Sequence, residues 1–429
     1  MNKFSRRQQF FVGLTLFSMF FGAGNLIFPP FLGAQAGSAL VPAIFGMAVS
    51  AVGLPVLGVV AVAQAGGLHP LAARVHPKFA DLFTLLAYLS IGPCLAIPRT
   101  ATTSFEMAVL PFAGQSPVWM RALYSLVFFA VAFAVALNPD RLTDRLGKVT
   151  GPALLALIAV IVIACLLRHP GGTAAPAGNF ATHPAIQGFL EGYQTMDTIA
   201  ALNFGIVIAL NIRARGIHDD RAVIRATMRA GWIAGGVLLL VYAALAGVGM
   251  LSGSSFPGAD NGAQVLTRLV SWLFGPMGNL LLGIVFVIAC FNTCTGLISC
   301  CGEYFTAQFP ILGYKAWALV FSVVSFGISI FGLNTILAVS VPILNAIYPV
   351  AIVLIFLGLA HRWLGGFNRI YRVTVLFTGV ASVGGALADA GLYVPLVTAI
   401  PLYDIGLGWL LPSASGLLLG VILSDRSSA

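Results

Sequence analysis

The chain has 429 residues, 59% of them hydrophobic and only 8% charged, a balance no water-soluble globule of this length could carry without a largely apolar surface. Its formal net charge is +9, with the basic residues spread over short connecting segments, so the charge speaks to membrane orientation and not to a nucleic-acid partner. All six cysteines lie in or at the ends of apolar runs, and no soluble domain separates those runs, so neither a disulfide framework nor a zinc module is expected.

Twelve apolar runs are long enough to cross hydrocarbon: residues 10–33, 41–63, 82–110, 118–137, 149–167, 185–210, 231–250, 277–299, 316–333, 336–359, 373–392 and 407–423. The expected fold class is therefore an all-α membrane protein with twelve transmembrane helices. If the N-terminus is cytoplasmic, every Lys and Arg except Arg99, Arg121, Arg168 and Arg268 falls in a cytoplasmic segment, and both termini lie inside. A missed helix would scramble that pattern. The basic start, the first apolar run and Ala34-Gln35-Ala36 superficially resemble a secretory signal, but glycines and a Pro29-Pro30 pair sit inside the supposed apolar region, so cleavage is not expected.

The first run carries Phe20-Phe21-Gly22-Ala23-Gly24-Asn25-Leu26-Ile27-Phe28-Pro29-Pro30. Two glycines and an asparagine in mid-membrane predict an unwound helix, whose exposed backbone groups need partners from protein, water or a bound ion. A ligand can approach Gly22 and Gly24 closely, and a half-helix starting near Asn25 points its positive end at an anion, most naturally a carboxylate. In the third run Gly92, Pro93, Pro98 and Arg99 make irregularity nearly unavoidable. Arg99 either gates a pathway by pairing with Glu106 or Asp197, or snorkels to the external interface.

The sixth run opens with Glu191-Gly192-Tyr193-Gln194-Thr195-Met196-Asp197-Thr198. Asp197 costs about 2.5–3.5 kcal/mol near the centre of a span. It is read as a ligand for a substrate amine or coupling cation, as a proton carrier, or as a cap on a broken helix. Glu191 sits closer to the external interface, as a gate or an interfacial residue. The external connection 251–276 holds an amphipathic piece, 265–274, that serves as a lid or as a plain connector.

In the eighth run Ala289, Asn292 and Thr293 share one helix face and could offer oxygens to a hard cation such as sodium. Alternatively the hydroxyl bonds back to its own helix and the small residues permit close packing. Cys290, Cys294 and Cys301 share a face without a histidine or second acid nearby, which reads as packing. Pro342 and Pro349 in the tenth run suggest a hinge. Breaks in the first and sixth helices are five helices apart and so run oppositely through the membrane, as a five-plus-five inverted repeat demands. The expected divisions are 1–168, 169–360 and 361–429, the last holding two peripheral helices.

These motifs resemble the bacterial leucine-isoleucine-valine:cation symporter family of branched-chain amino acid carriers. The likeness runs nearly end to end, through the first-helix stretch, Gly92-Pro93 to Ile97-Pro98-Arg99-Thr100, Asp144-Arg145-Leu146-Gly147-Lys148, Gly192 to Asp197, Glu303-Tyr304-Phe305 and Ser340-Val341-Pro342 to Ile347-Tyr348-Pro349. The resemblance implies uptake of leucine, isoleucine or valine driven by sodium across the bacterial cytoplasmic (inner) membrane. It implies that the substrate carboxylate meets Gly22, Ala23, Gly24 and Asn25, and the amine the region of Tyr193, Thr195 and Asp197. A sodium ion would take the carbonyls of Ser18, Phe21 and Ala289 with the side chains of Asn292 and Thr293. Asn292 departs from the family pattern, where a second threonine usually stands; it still offers an oxygen but is larger.

A proton-coupled carrier using Asp197 is the alternative coupling. A lysine replacing sodium from the fifth helix would support it, but Lys148 sits at that helix's cytoplasmic start. A non-translocating amino acid sensor is the alternative from another class; a channel would need a continuous polar stripe, and an enzyme converging acids, histidines or thiolates. The expected partners are a small-molecule amino acid and the lipid bilayer, and no oligomeric state is specified.

Overall fold

The computed structural model describes residues 6–137, 139–214, 219–392 and 394–424. Every regular element among them is helical. In order these are α1 (Arg6–Phe20), α2 (Ala23–Ala36), α3 (Leu40–Ala48), α4 (Leu54–Ala65), α5 (Pro77–Leu89), α6 (Ala96–Ala108), α7 (Val118–Ala136) and α8 (Pro139–Arg168). There follow α9 (Pro184–Tyr193), α10 (Asp197–Ala214), α11 (Asp220–Gly253), α12 (Gly262–Gln308), α13 (Tyr314–Ser329), α14 (Leu333–Leu359), α15 (Ile370–Asp389) and α16 (Leu410–Ile422), with short turns between them. In hydrocarbon the backbone must bond to itself, and a helix does so within one segment.

Each expected run falls on one or more of these helices. Among the described residues, seven helical stretches are long and apolar enough to cross a membrane: Ala23–Ala65, Pro77–Ala108, Val118–Ala136, Asp220–Gly253, Gly262–Gln308, Leu333–Leu359 and Ile370–Asp389. The outward faces carry large exposed apolar side chains, among them Val41, Phe45, Leu167 and Leu240. Such a surface suits lipid as solvent.

The first apolar run is interrupted between Phe20 and Ala23, where Gly22 is extended (φ −122°, ψ −170°). The sixth is interrupted between Tyr193 and Asp197, where Met196 takes a left-handed φ of 63°. A non-glycine residue held there costs about 1–2 kcal/mol, so packing on both sides must hold it. Between α5 and α6 the turn widens over Ser90–Cys94, and Gly92 leaves helical geometry (φ −93°, ψ −132°) just before Pro93, which has no N–H to donate. Pro29 and Pro30 lie inside α2, removing the donors that would reach the carbonyls of Asn25 and Leu26. Pro342 and Pro349 interrupt nothing: α14 is helical through both.

Two apolar clusters divide the interior. One gathers α1, α2, α11 and the front of α12, and the other α4 to α7, α14 and α15. Phe21 belongs to the first and Ala23 to the second, so the first interruption runs along the seam. Helix α9 crosses α3 at very close range: a Cβ on Gly46 would collide with the Ala185 carbonyl, and one on Gly188 with the Ala43 carbonyl. The amphipathic connection forms the first part of α12, which kinks at Gly275 (φ 67°, ψ −161°). Its Val265, Leu266, Leu269, Val270 and Leu273 are buried, and Gly262 rests on the Ile27 carbonyl of α2.

Candidate functional site

The interrupted helices meet through Asn25 and Asp197, which are 1% and 2% exposed although both are polar. Asn25 Nδ2 donates to Asp197 Oδ2 at 2.8 Å and to the Tyr242 hydroxyl at 2.5 Å, while Tyr242 donates its own proton to Asp197 Oδ2 at 2.6 Å. Residues from α2, α10 and α11 thus close a ring in which every available proton is used. Asp197 also occupies the first turn of α10, where the positive end of the helix dipole favours a carboxylate. Thr195 completes this end: its hydroxyl accepts from the Asp197 amide at 3.5 Å and donates to the Gly192 carbonyl at 2.9 Å, so it ties α9 to α10. Tyr242 escaped the sequence reading. Its signal was a lone phenol in the middle of the apolar run 231–250.

The Gly22 amide donates to Asn25 Oδ1 at 3.1 Å. Of the backbone donors expected to face a carboxylate, Gly22 is therefore already engaged. Ala23 and Gly24 lie in the first turn of α2, where amides have no intrahelical acceptor.

Helix α12 approaches the same interruption. A Cβ built on Gly22 would lie 3.3 Å from Thr293 Cγ2 and 3.7 Å from Thr293 Oγ1. Thr293 in turn donates to the Ala289 carbonyl at 3.1 Å, and Asn292 Oδ1 is buried without a protein partner. Of the oxygens expected around a cation, those of Ala289, Asn292 and Thr293 thus share one face of α12, with Gly22 opposite. Phe21 is buried with its ring stacked on Phe17, centroids 4.9 Å apart. Ser18 lies in α1, and the side chains of Ser18 and Lys148 fall outside the described residues.

Arg99 pairs with neither Glu106 nor Asp197, and it does not snorkel. It is 3% exposed, its Nη1 donates to the Gln194 carbonyl at 2.7 Å, and its guanidinium lies over the Phe28 ring at 5.3 Å. The reason is geometric: the turn after α9 frees the Gln194 carbonyl toward α6, while Asp197 is occupied by Asn25 and Tyr242. Tyr193 is buried and stacked on Tyr348 of α14, centroids 4.3 Å apart, which anchors the end of α9 a turn away from the site. Glu191 accepts from Gln187 at 3.1 Å and borders a cavity of about 200 Å³ with Ile27, Phe28, Gln194, Asn261 and Leu337. That cavity lies directly beyond the two interruptions, under the start of α12. Phe286 and Ile91 are buried, and Phe291 packs edge-on against Phe128 at 5.8 Å.

Two helix interruptions, a buried acid and a hydroxyl-bearing helix brought together in an otherwise apolar bundle suit binding and release of a small polar solute. Residues 5–427 match the family model described as branched-chain amino acid transport protein. The chain is 43% identical over 417 residues to the branched-chain amino acid transport system 2 carrier protein of Pseudomonas aeruginosa, covering 96% of this chain and 94% of that one. It is 40% identical over 422 residues to the branched-chain amino acid permease BrnQ of Bacillus subtilis, covering 96% of each. In fold it is similar to Mhp1, a nucleobase-cation-symport-1 family transporter in a closed conformation with bromovinylhydantoin bound, with a TM-score of 0.65, 15% identity, and 96% of this chain and 91% of that chain covered. It is likewise similar to MhsT in complex with L-phenylalanine, with a TM-score of 0.58, 15% identity, and 97% and 98% covered. The chain thus belongs to the branched-chain amino acid transport protein family, as a multi-pass membrane transporter and not an enzyme.

Proposed function

We propose that the protein imports leucine, isoleucine and valine by sodium symport with alternating access across a bacterial inner membrane. In this reading twelve spans form a five-plus-five inverted repeat with helices 1 and 6 broken (α1/α2 and α9/α10), and both termini face the cytoplasm. One observation carries it: the first interruption touches Thr293 at Gly22 and Asp197 at Asn25, so a cation bound beside α12 and a substrate bound between α2 and α10 share one wall. Sodium held by carbonyls of Ser18, Phe21 and Ala289 with Asn292 and Thr293 would stiffen the unwound segment. The ordering cost of the second ligand then falls, and that coupling drives uptake. The relatives carry branched-chain amino acid transport in their names, which supports the substrate class.

Protons are the second reading, favoured by the burial of Asp197. Purified protein in proteoliposomes decides between them. An inward sodium gradient at equal pH is expected to drive leucine uptake, and Thr293→Ala to raise the sodium concentration for half-maximal rate about tenfold or more, the loss of one ligand being worth at least ~1.4 kcal/mol. Uptake that follows a pH jump and ignores sodium would replace sodium with protons. Binding without counterflow of labelled leucine would make the protein a sensor.

A further inference from the structure

We propose that Arg99 is the charged receptor for the substrate's carboxylate, an inference that rests on the reading of an amino acid substrate. A guanidinium inside a membrane bundle normally has an anionic partner, because its desolvation is not recovered otherwise. Arg99 is nine-tenths buried and more, yet no carboxylate of the described residues lies within ion-pairing distance; the two ion pairs among them join His69 to Asp81 and Arg213 to Asp220. Its one hydrogen bond goes to the neutral carbonyl of Gln194, and its Nε is buried with no acceptor. The nearest acid of the site, Asp197, is held by Asn25 and Tyr242. The positive charge is fixed in place, and among the described residues no carboxylate pairs with it directly.

Its position suits a carboxylate. Arg99 Nη2 lies 2.7 Å from where a Cβ on Gly24 would stand, so the guanidinium borders the first turn of α2, whose amides lack intrahelical acceptors. A carboxylate placed there meets backbone N–H groups and a planar fork of guanidinium N–H groups together. Any side chain at position 24 would collide with the guanidinium. The guanidinium carbon lies over the Phe28 ring, 5.3 Å from its centroid, and Nε has no protein acceptor, so donor capacity remains for an anion. With the carboxylate at Arg99 and Gly24, the substrate's amine is left to Asp197, whose bonds to Asn25 and Tyr242 both use Oδ2 and leave Oδ1 to accept, and the side chain remains for the apolar clusters.

The test compares leucine with leucinol, which keeps the amine and the branched side chain but replaces the carboxylate with an alcohol. Both compete against tritiated leucine on purified protein, for wild type, Arg99→Gln and Arg99→Lys. Wild type is expected to prefer leucine strongly. In Arg99→Gln leucine should weaken by roughly 10- to 100-fold, the range for losing a charge-assisted hydrogen-bonded partner, while leucinol changes less than about twofold. Arg99→Lys keeps the charge without the fork and should lose about tenfold of the preference. A leucine-to-leucinol ratio kept at its wild-type value in both variants would reduce Arg99 to a brace on the Gln194 carbonyl, since a brace supports both ligands equally. Where Arg99→Gln fails to purify as a folded protein, the ratio in Arg99→Lys alone decides. Wild type that binds none of the three branched-chain amino acids overturns the functional reading and this assignment with it.

Discussion

Tyr242 contributes one hydroxyl, and that hydroxyl both donates to Asp197 and accepts from Asn25. Removing it leaves an acid and an amide each short of one partner in a buried place, a loss of about 1.5–3 kcal/mol where one partner is charged. Tyr242→Phe is therefore expected to lower leucine uptake by roughly 10- to 100-fold and to lower the thermal unfolding temperature of the purified protein. Uptake within about twofold of wild type, measured in proteoliposomes at equal protein, would remove Tyr242 from the site. Asn25 and Asp197 could be read in the sequence because amides and acids are costly in hydrocarbon and stand out there. Tyr242 could not be ranked, since tyrosine is ordinary in a span and only its distance to Asp197, 45 positions earlier in the chain, gives it a role. Arg99 was legible as an anomaly, but its partner, a backbone carbonyl freed by a turn in another helix, leaves no trace in side-chain identity.

The helix interruptions were legible for a related reason. Gly22 and Gly24 remove side chains where the chain must unwind, and Gly92 with Pro93 takes away a donor. Proline alone does not mark an interruption: α14 is helical through Pro342 and Pro349, whereas Pro93 follows a glycine that leaves helical geometry. Contacts between elements were not legible. Among 48 glycines nothing marks Gly46 and Gly188 as the reciprocal crossing of α3 and α9. Each abuts a backbone carbonyl, which cannot move aside as a flexible side chain could. Gly46→Val and Gly188→Val are each expected to abolish the monodisperse peak of the detergent-solubilised protein, whereas Gly236→Val, at an open position on α11, should leave it intact. Wild-type elution of the Gly188 variant would mean that α9 can shift away from α3.

At the scale of the molecule, the distribution of Lys and Arg is a prediction about orientation. On a background with the six cysteines replaced, single cysteines in the connection 169–183 should react with a membrane-impermeant maleimide in intact cells, and those in 361–369 only after permeabilisation. The opposite pattern would invert the protein and with it the direction assigned to α1/α2 and α9/α10. The cavity beside Glu191 and Gln194 would then open toward the cytoplasm.

By itself the sequence determined that this chain is a helical membrane protein, where its helices are weakened, and which family signature it carries. Those properties follow from transfer energies and backbone chemistry, which act residue by residue and read directly from composition and order. Only the tertiary structure decided who meets whom: that Gly22 stands against Thr293, that Asn25 and Tyr242 together hold Asp197, and that Arg99 reaches Gln194 and borders Gly24. Such meetings depend on how helices distant in sequence rotate and cross. That in turn depends on close contacts such as Gly46 on Ala185, in which the deciding feature is an absent side chain.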